Sequence, residues 1–403
     1  MIKKTIISKS LYFWGFALAA AACNLQPAAE STEVDEQVTS AIEQVKSTYA
    51  PDKRVAIFNV EALPQGKSLI LRGETDQPSA KATLIAQLSK EYTLVDSINI
   101  LPDASLGEDT LGVVYISAAN IRSQPRHSGE LATQATMGMP LRVLKKEGEW
   151  HLVQTPDKYI SWMQGSFVPM NHAEYDAWQE KEKAIFTKMY GFAYADPVNS
   201  DSIISDLVAG NVMELVSESS QSYAVRLPDG RPAYVRKSDS APFEAWVAQA
   251  EATEGKLVST AYQLMGVPYL WGGTSAKGVD CSGFTKTVYF MNGKILPRDA
   301  SQQVHAGELV DDEKNFDNLR PGDLLFFGYA ATDSTRERVT HVGMWVGDDQ
   351  FIHSPGLEAR VKISSIDPES EHYDPYNLNR YLRTKRMINS QQDIIALRDV
   401  KLF

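Results

Sequence analysis

Gly278-Val279-Asp280-Cys281-Ser282-Gly283-Phe284 is the stretch whose reading decides the rest of this 403-residue chain. The sequence holds two cysteines, Cys23 close to its start and Cys281 here. Glycines bracket the second thiol, and the apolar run 284–291 follows at once, so a glycine turn feeds a helix with Cys281 in its first turn. Free N–H groups and the helix dipole favour negative charge there. The expectation is a reactive thiol with its pKa lowered from about 8.5 by one to several units.

Such a thiol needs a base and a group to orient that base. The candidates lie downstream in Thr340-His341-Val342-Gly343-Met344-Trp345 and Gln350-Phe351-Ile352-His353, both with strand character. If these strands are adjacent and antiparallel, His341 and His353 stand side by side. One would accept the thiol proton and the other would hold it in place, which is the logic of a cysteine hydrolase. Zinc held by Cys281, His341 and His353 is the rival reading, and it lacks a clear fourth ligand.

Composition narrows the class. Apolar residues make up 43% of the chain, ample for several packed cores. Lys3, Lys4 and Lys9 precede an apolar run at 10–22, too short to span a membrane but fitting a signal-peptide core. Without residues 1–22, which hold three lysines and no acids, the net charge goes from −11 to −14. That acidity argues against a nucleic-acid partner. Two cysteines, one of them beside the leader, exclude a disulfide scaffold.

Residues 24–49 are polar and acidic, a tether leading into a short helix. Segments 54–60, 68–72 and 93–100 have strand character and 78–90 reads as an amphipathic helix, so 51–111 forms a small α/β unit. Gly66-Lys67-Ser68 lacks the glycine a phosphate loop requires, because position 61 is Glu; the spacing from Gly273 to Gly278 fails likewise, with Val279 in place of Lys. Residues 112–170 change to short strands and glycine turns. Residues 171–189 read as a polar helical connector, and 190–241 repeat the strand pattern around the hairpin turn Pro228-Asp229-Gly230-Arg231. A long helix is expected over 242–265, stopped by Gly266-Val267-Pro268.

Several of these stretches resemble known families. Ala20-Ala21-Ala22-Cys23 resembles a bacterial lipoprotein box, implying an exported protein anchored to a membrane through Cys23. Asn120-Ile121-Arg122-Ser123-Gln124-Pro125, the apolar pattern of 138–153 and Tyr159-Ile160-Ser161-Trp162 resemble a bacterial SH3-like domain, and 190–241 looks like a second. Tyr269-Leu270-Trp271-Gly272-Gly273, Asp280-Cys281-Ser282-Gly283-Phe284, Leu296-Pro297-Arg298-Asp299, Pro321-Gly322-Asp323-Leu324, His341-Val342-Gly343 and Phe351-Ile352-His353 occur in the order of the NlpC family of papain-like cell-wall peptidases. The resemblance implies Cys281 as nucleophile, His341 as base, His353 as orienting residue and Tyr269 beside the oxyanion.

With tandem SH3-like domains, the chain looks like the subgroup that cuts γ-D-glutamyl–diamino acid bonds in peptidoglycan stem peptides with a free N-terminal L-Ala. That resemblance implies Asp299 as partner of the ammonium, Asp280 and Ser282 lining the same subsite, and Glu130 and Tyr159 closing it from the first SH3-like domain. It implies no metal or organic cofactor. A broader hydrolase of intact wall, a wall-binding scaffold and an acyltransferase are the alternatives. The expected architecture is α+β: leader 1–22, tether and short helix 23–50, α/β unit 51–111, SH3-like barrels 112–170 and 190–241 joined by 171–189, a papain-like catalytic domain 242–390 and a tail 391–403.

Overall fold

A computed structural model of the protein describes residues 35–66 and 68–399. The expected leader, residues 1–22, and Cys23 lie outside them. Among the described residues no helix is long and apolar enough to cross a membrane.

The helix Glu36–Tyr49 starts on Asp35, whose carboxylate accepts from the Gln37 N–H at 3.0 Å. It belongs to the first folded unit rather than to a tether, because Val38 and Val45 are buried against Leu71 and Leu84. Strands Phe58–Gln65 and Ser68–Thr75 form an antiparallel hairpin, and helix Pro78–Leu88 carries the chain over to Thr93–Ile100, parallel to the second strand. The first strand begins at 58 rather than 54. Residues 52–56 are held as a turn, with the Val55 and Ala56 N–H groups donating to the Asp52 carbonyl.

Two seven-stranded antiparallel sheets follow, the first from Leu111–Val114 to Phe167–Met170 and the second from Lys183–Phe186 to Ser240–Pro242. With strands counted in chain order, both sheets run 7-1-4-5-6-2-3. The second barrel is therefore a topological copy of the first. Its opening strand Lys183–Phe186 falls inside the expected helical connector. The helix His172–Glu180 ends as the charged run 180–183 begins, and Ala184, Ile185 and Phe186 are buried in the second barrel.

The expected long helix is two helices, Phe243–Gln249 and Glu254–Gln263. The chain extends at Ala250, and the Thr253 hydroxyl accepts from the Lys256 N–H to start the second. The last unit packs helix Cys281–Phe290 on a six-stranded antiparallel sheet through Phe284, Val288, Val342 and Met344, all fully buried. Burying each such side chain contributes about 1.5–3 kcal/mol. Residues 395–396 pair with Lys294–Ile295, so the segment after 391 is fastened to the domain rather than trailing from it.

The units are fastened to one another at named points. Ile57 and Leu101 share a core with Leu144, Leu152 and Ile160 of the first barrel. Gln134 of that barrel accepts from the Thr274 N–H at 3.1 Å and from the Ser275 hydroxyl at 3.0 Å, holding the loop just before Cys281. The two barrels join where the Val212 N–H donates to the Met137 carbonyl.

Candidate active site

Asp280 caps the helix that begins with Cys281. Its Oδ1 accepts from the Gly283 N–H at 2.7 Å and its Oδ2 from the Gly272 N–H at 3.0 Å. The fully buried Arg298 adds a fork, Nη2 to Oδ2 at 2.6 Å and Nη1 to Oδ1 at 3.2 Å, and also donates to Ser282 Oγ at 3.0 Å. Gly283 allows the helix start to lie on the preceding loop, since a Cβ there would stand 1.9 Å from the Gly273 carbonyl oxygen. Gly272 has φ +78 and lies against the Leu131 backbone, where a Cβ would come within 2.2 Å of the carbonyl oxygen.

The thiol departs from the sequence expectation. Burial and then the neighbouring Asp280 carboxylate push Cys281 up to about 12, against the Val342 and Ser282 N–H groups and Arg298, which favour the thiolate. A carboxylate at the N-cap offsets the positive end of the helix beside the sulfur. At rest Cys281 is a protonated thiol, which needs a base to act as a nucleophile.

The candidate base, His341, is on the strand Arg338–Gly347, where Gly343 pairs with His353 of the neighbouring antiparallel strand. His341 and His353 are diagonal neighbours, with His341 Nε2 and His353 Nδ1 2.7 Å apart. His353 Nε2 lies 2.9 Å from Ser364 Oγ, and Asp374 Oδ2 is 3.9 Å from the same nitrogen. The chain is satisfied when His341 donates from Nε2 to His353 and His353 donates from Nε2 to Ser364, which leaves His341 Nδ1 free to take a proton. Burial, then the Arg380 charge, pull His341 down to about 4; burial, His341 and Lys362 depress His353 as well. Both imidazoles are neutral at pH 7.

A pH dependence follows. His341 stays a competent base until the pH nears 4, so kcat/KM should keep its value well below pH 6.5. An acid limb centred at 6.5 or above would contradict a buried neutral base. Stability moves in the same direction. The unfolded imidazole binds its proton at about 6.5, whereas the folded one does so only near 4. The unfolded chain therefore holds more protons between those values. The His341 contribution to stability is complete above about pH 6.5 and falls by up to about 1.4 kcal/mol per pH unit toward pH 4, measurable by denaturant unfolding of the wild type against a His341 variant.

A cleft of about 960 Å³ opens over these groups. It brings together all nine described residues singled out in the sequence: Cys281, His341, His353, Tyr269, Asp280, Ser282 and Asp299 of the catalytic unit with Glu130 and Tyr159 of the first barrel. Burial and the neighbouring Asp280 carboxylate keep the Tyr269 phenol protonated, as a donor to an oxyanion must be. Asp299 begins the helix Ala300–Gln303, and its Oδ2 accepts from the Tyr159 hydroxyl at 3.3 Å and from Arg54 at 2.8 Å. Asp280 lines the cleft with both oxygens already bound to Arg298 and backbone N–H groups, whereas Asp299 is about a third exposed.

Arg54, Ser364 and Asp374 carry no sequence pattern that marks them as parts of the site. Ser364 and Asp374 follow His353 at no motif spacing, and Arg54 belongs to another unit. Among the described residues no group of three His, Cys, Asp or Glu side chains is placed to hold a metal ion.

Comparison with known proteins agrees with this geometry. Residues 266–383 match the NlpC/P60 family, and residues 121–166 match the bacterial dipeptidyl-peptidase SH3 domain. The γ-D-glutamyl-L-lysine dipeptidyl-peptidase of Bacillus cereus is 32% identical over 264 residues, covering 64% of this chain and 77% of the relative. Its Bacillus subtilis namesake is 30% identical over 247 residues, 59% of this chain and 76% of that one. A crystal structure of an NlpC/P60 family protein from Bacillus cereus superposes with a TM-score of 0.59 at 27% identity, covering 69% of this chain and 99% of its own. With its thiol, its paired histidines and an SH3-like barrel closing the cleft, the chain belongs to the NlpC/P60 family of cysteine peptidases.

Proposed function

We propose that the protein hydrolyses the γ-D-glutamyl–diamino acid bond of peptidoglycan stem peptides whose N-terminal L-Ala is free, releasing L-Ala-γ-D-Glu. One observation carries this reading. Two carboxylates, Glu130 and Asp299, and the Tyr159 hydroxyl converge from two units on the cleft that holds Cys281. An ammonium buried without such partners would be costly, so a cleft built this way selects a free amine. The relatives' names point to the same bond.

His341 takes the Cys281 proton as sulfur attacks the γ-carbonyl. Tyr269 and backbone N–H groups at the helix start receive the oxyanion. The C–N bond breaks as His341 returns the proton to the leaving nitrogen, giving a thioester and the free diamino acid. Water then loses a proton to His341, adds to the thioester, and the C–S bond breaks to restore the thiol and release the dipeptide.

Peptides with free and N-acetylated alanine, compared by mass spectrometry, test the reading. Only the free form should be cleaved, and equal cleavage of both would support a hydrolase of intact wall instead. The leader and Cys23 further support an exported, lipid-anchored protein. Radiolabelled palmitate should enter the wild type and not Cys23→Ala, and label in both would remove the anchor assignment.

A further inference from the structure

Arg54 comes from the N-terminal α/β unit, ahead of both family matches, yet it reaches the amine end of the cleft. Its Nη1 donates to Asp299 Oδ2 at 2.8 Å and to Ser301 Oγ at 2.9 Å. Its Nε and Nη2 are held by Asp52 at 2.8 Å each, and Asp52 Oδ2 accepts from Gln302 Nε2 at 2.8 Å. The Arg54 carbonyl accepts from the Ile160 N–H at 2.7 Å, one residue after Tyr159. The guanidinium is thus fixed from three sides before any substrate arrives, a geometry that the planar fork of arginine satisfies and lysine does not.

Its position matters because two spaces meet there. The catalytic cleft adjoins a recess of about 680 Å³ lined by residues 51–54, Ser301, Gln302 and His305. Ser301 lines both, and the Arg54–Asp299 pair stands on the seam. We propose that Arg54 is a specificity-determining residue, the end wall that stops the cleft one residue beyond the γ-glutamyl group. Arg54 and Tyr159 engage one oxygen of Asp299. A stem whose alanine nitrogen carries an acyl group must continue into the recess, and Arg54 occupies the way through.

The inference rests on the proposed free-amine reading, and one experiment separates the two. For the wild type, Arg54→Ala, Arg54→Gln and Lys53→Ala, kcat/KM is measured on L-Ala-γ-D-Glu-diamino acid and on its N-acetyl form, with melting followed by circular dichroism. Both Arg54 variants should gain cleavage of the acetylated peptide, narrowing the preference for the free amine at least tenfold. Lys53→Ala, at an exposed neighbour, should match the wild type. A preference unchanged in folded Arg54 variants overturns the end wall. A wild type that cleaves both peptides equally overturns the free-amine reading itself.

A separate observation concerns the other end of the cleft. His341 protonates the leaving nitrogen, so the diamino acid lies on the His341 side, where Arg338 precedes it on the same strand and Arg380 donates to Thr340 Oγ1 at 3.2 Å. Both arginines line the cleft with neutral partners. Arg338 lies over the Tyr329 ring, and Arg380 stacks on Tyr376 at 4.0 Å and donates to Asn377 Oδ1. Two cations without carboxylates fit a leaving group that brings two. We infer that the preferred diamino acid is diaminopimelate, which has a carboxylate that lysine lacks.

Tripeptides ending in each residue decide this, given the same free-amine reading. The diaminopimelate form should be favoured at least tenfold, and Arg338→Ala should lower its turnover at least tenfold more than that of the lysine form. Equal turnover of the two tripeptides by the wild type, or equal losses on both in the variant, overturns it. Cleavage of neither would instead count against the bond assigned to the enzyme.

Discussion

Replacing Cys281 with Ala should reduce hydrolysis of the free stem peptide by at least about 10⁴-fold, to the background of the assay. Binding should survive, because Glu130, Asp299 and Tyr159 are untouched, and calorimetry on the variant would show it. Residual turnover within tenfold of the wild type would remove Cys281 as nucleophile. The resting state of the sulfur is open to a second measurement. A thiol held up to about 12 should react slowly with iodoacetamide at pH 7 and faster as the pH rises toward that value. Rapid, pH-independent alkylation between pH 6 and 8 would instead indicate a preformed thiolate. The neutral thiol and neutral imidazole suit an enzyme in which substrate arrival completes the circuit, with proton transfer and attack coupled.

Lys286→Met should destabilise the protein by about 3–5 kcal/mol, the usual cost of stranding one member of a buried ion pair. Lys286 Nζ lies 2.7 Å from Asp157 Oδ2, and the Asp157 side chain is 1% exposed. Burial opposes ionisation of this carboxyl most strongly, and the Lys286 charge, the hydrogen bonds from Lys286 and Thr155 and the Arg298 charge together outweigh it, so the acid is held below its ordinary range. The lysine is on the helix that begins with Cys281 and the aspartate on the first barrel, so the pair fastens the nucleophile's helix to the domain that supplies Glu130 and Tyr159. Urea unfolding of Lys286→Met and of Lys286→Met with Asp157→Asn gives the test. The double variant should recover much of the loss, since a neutral amide is cheaper to bury than an unpaired carboxylate. Equal stability of the two variants would show that the charge pair is not what holds the junction.

What could be read from the sequence was local or repetitive. The Cys281 turn, the histidine strands and the Pro228–Arg231 hairpin are short patterns with one geometric solution, and Ser222–Arg226 pairs with Pro232–Arg236 as the turn requires. The break between the helices at 243–249 and 254–263 escaped because apolar residues continue across it; Thr253 was the only signal, a cap whose hydroxyl meets Lys256. The state of the thiol differs from the sequence expectation for another reason. A helix start can be recognised from glycines, but burial and a capping carboxylate belong to the folded environment. Arg54 was beyond reach altogether, since its partner Asp299 is 245 positions away and an ion pair leaves no periodicity.

The junction at Arg54 separates two kinds of inheritance. The proposed catalytic groups, Cys281, His341 and His353, all lie within one domain. The length of substrate admitted is encoded where that domain abuts its neighbours, by side chains that never meet the sulfur. A lineage of such enzymes can therefore change its diet by remodelling a seam, one surface residue at a time, while the reaction chemistry is passed on intact.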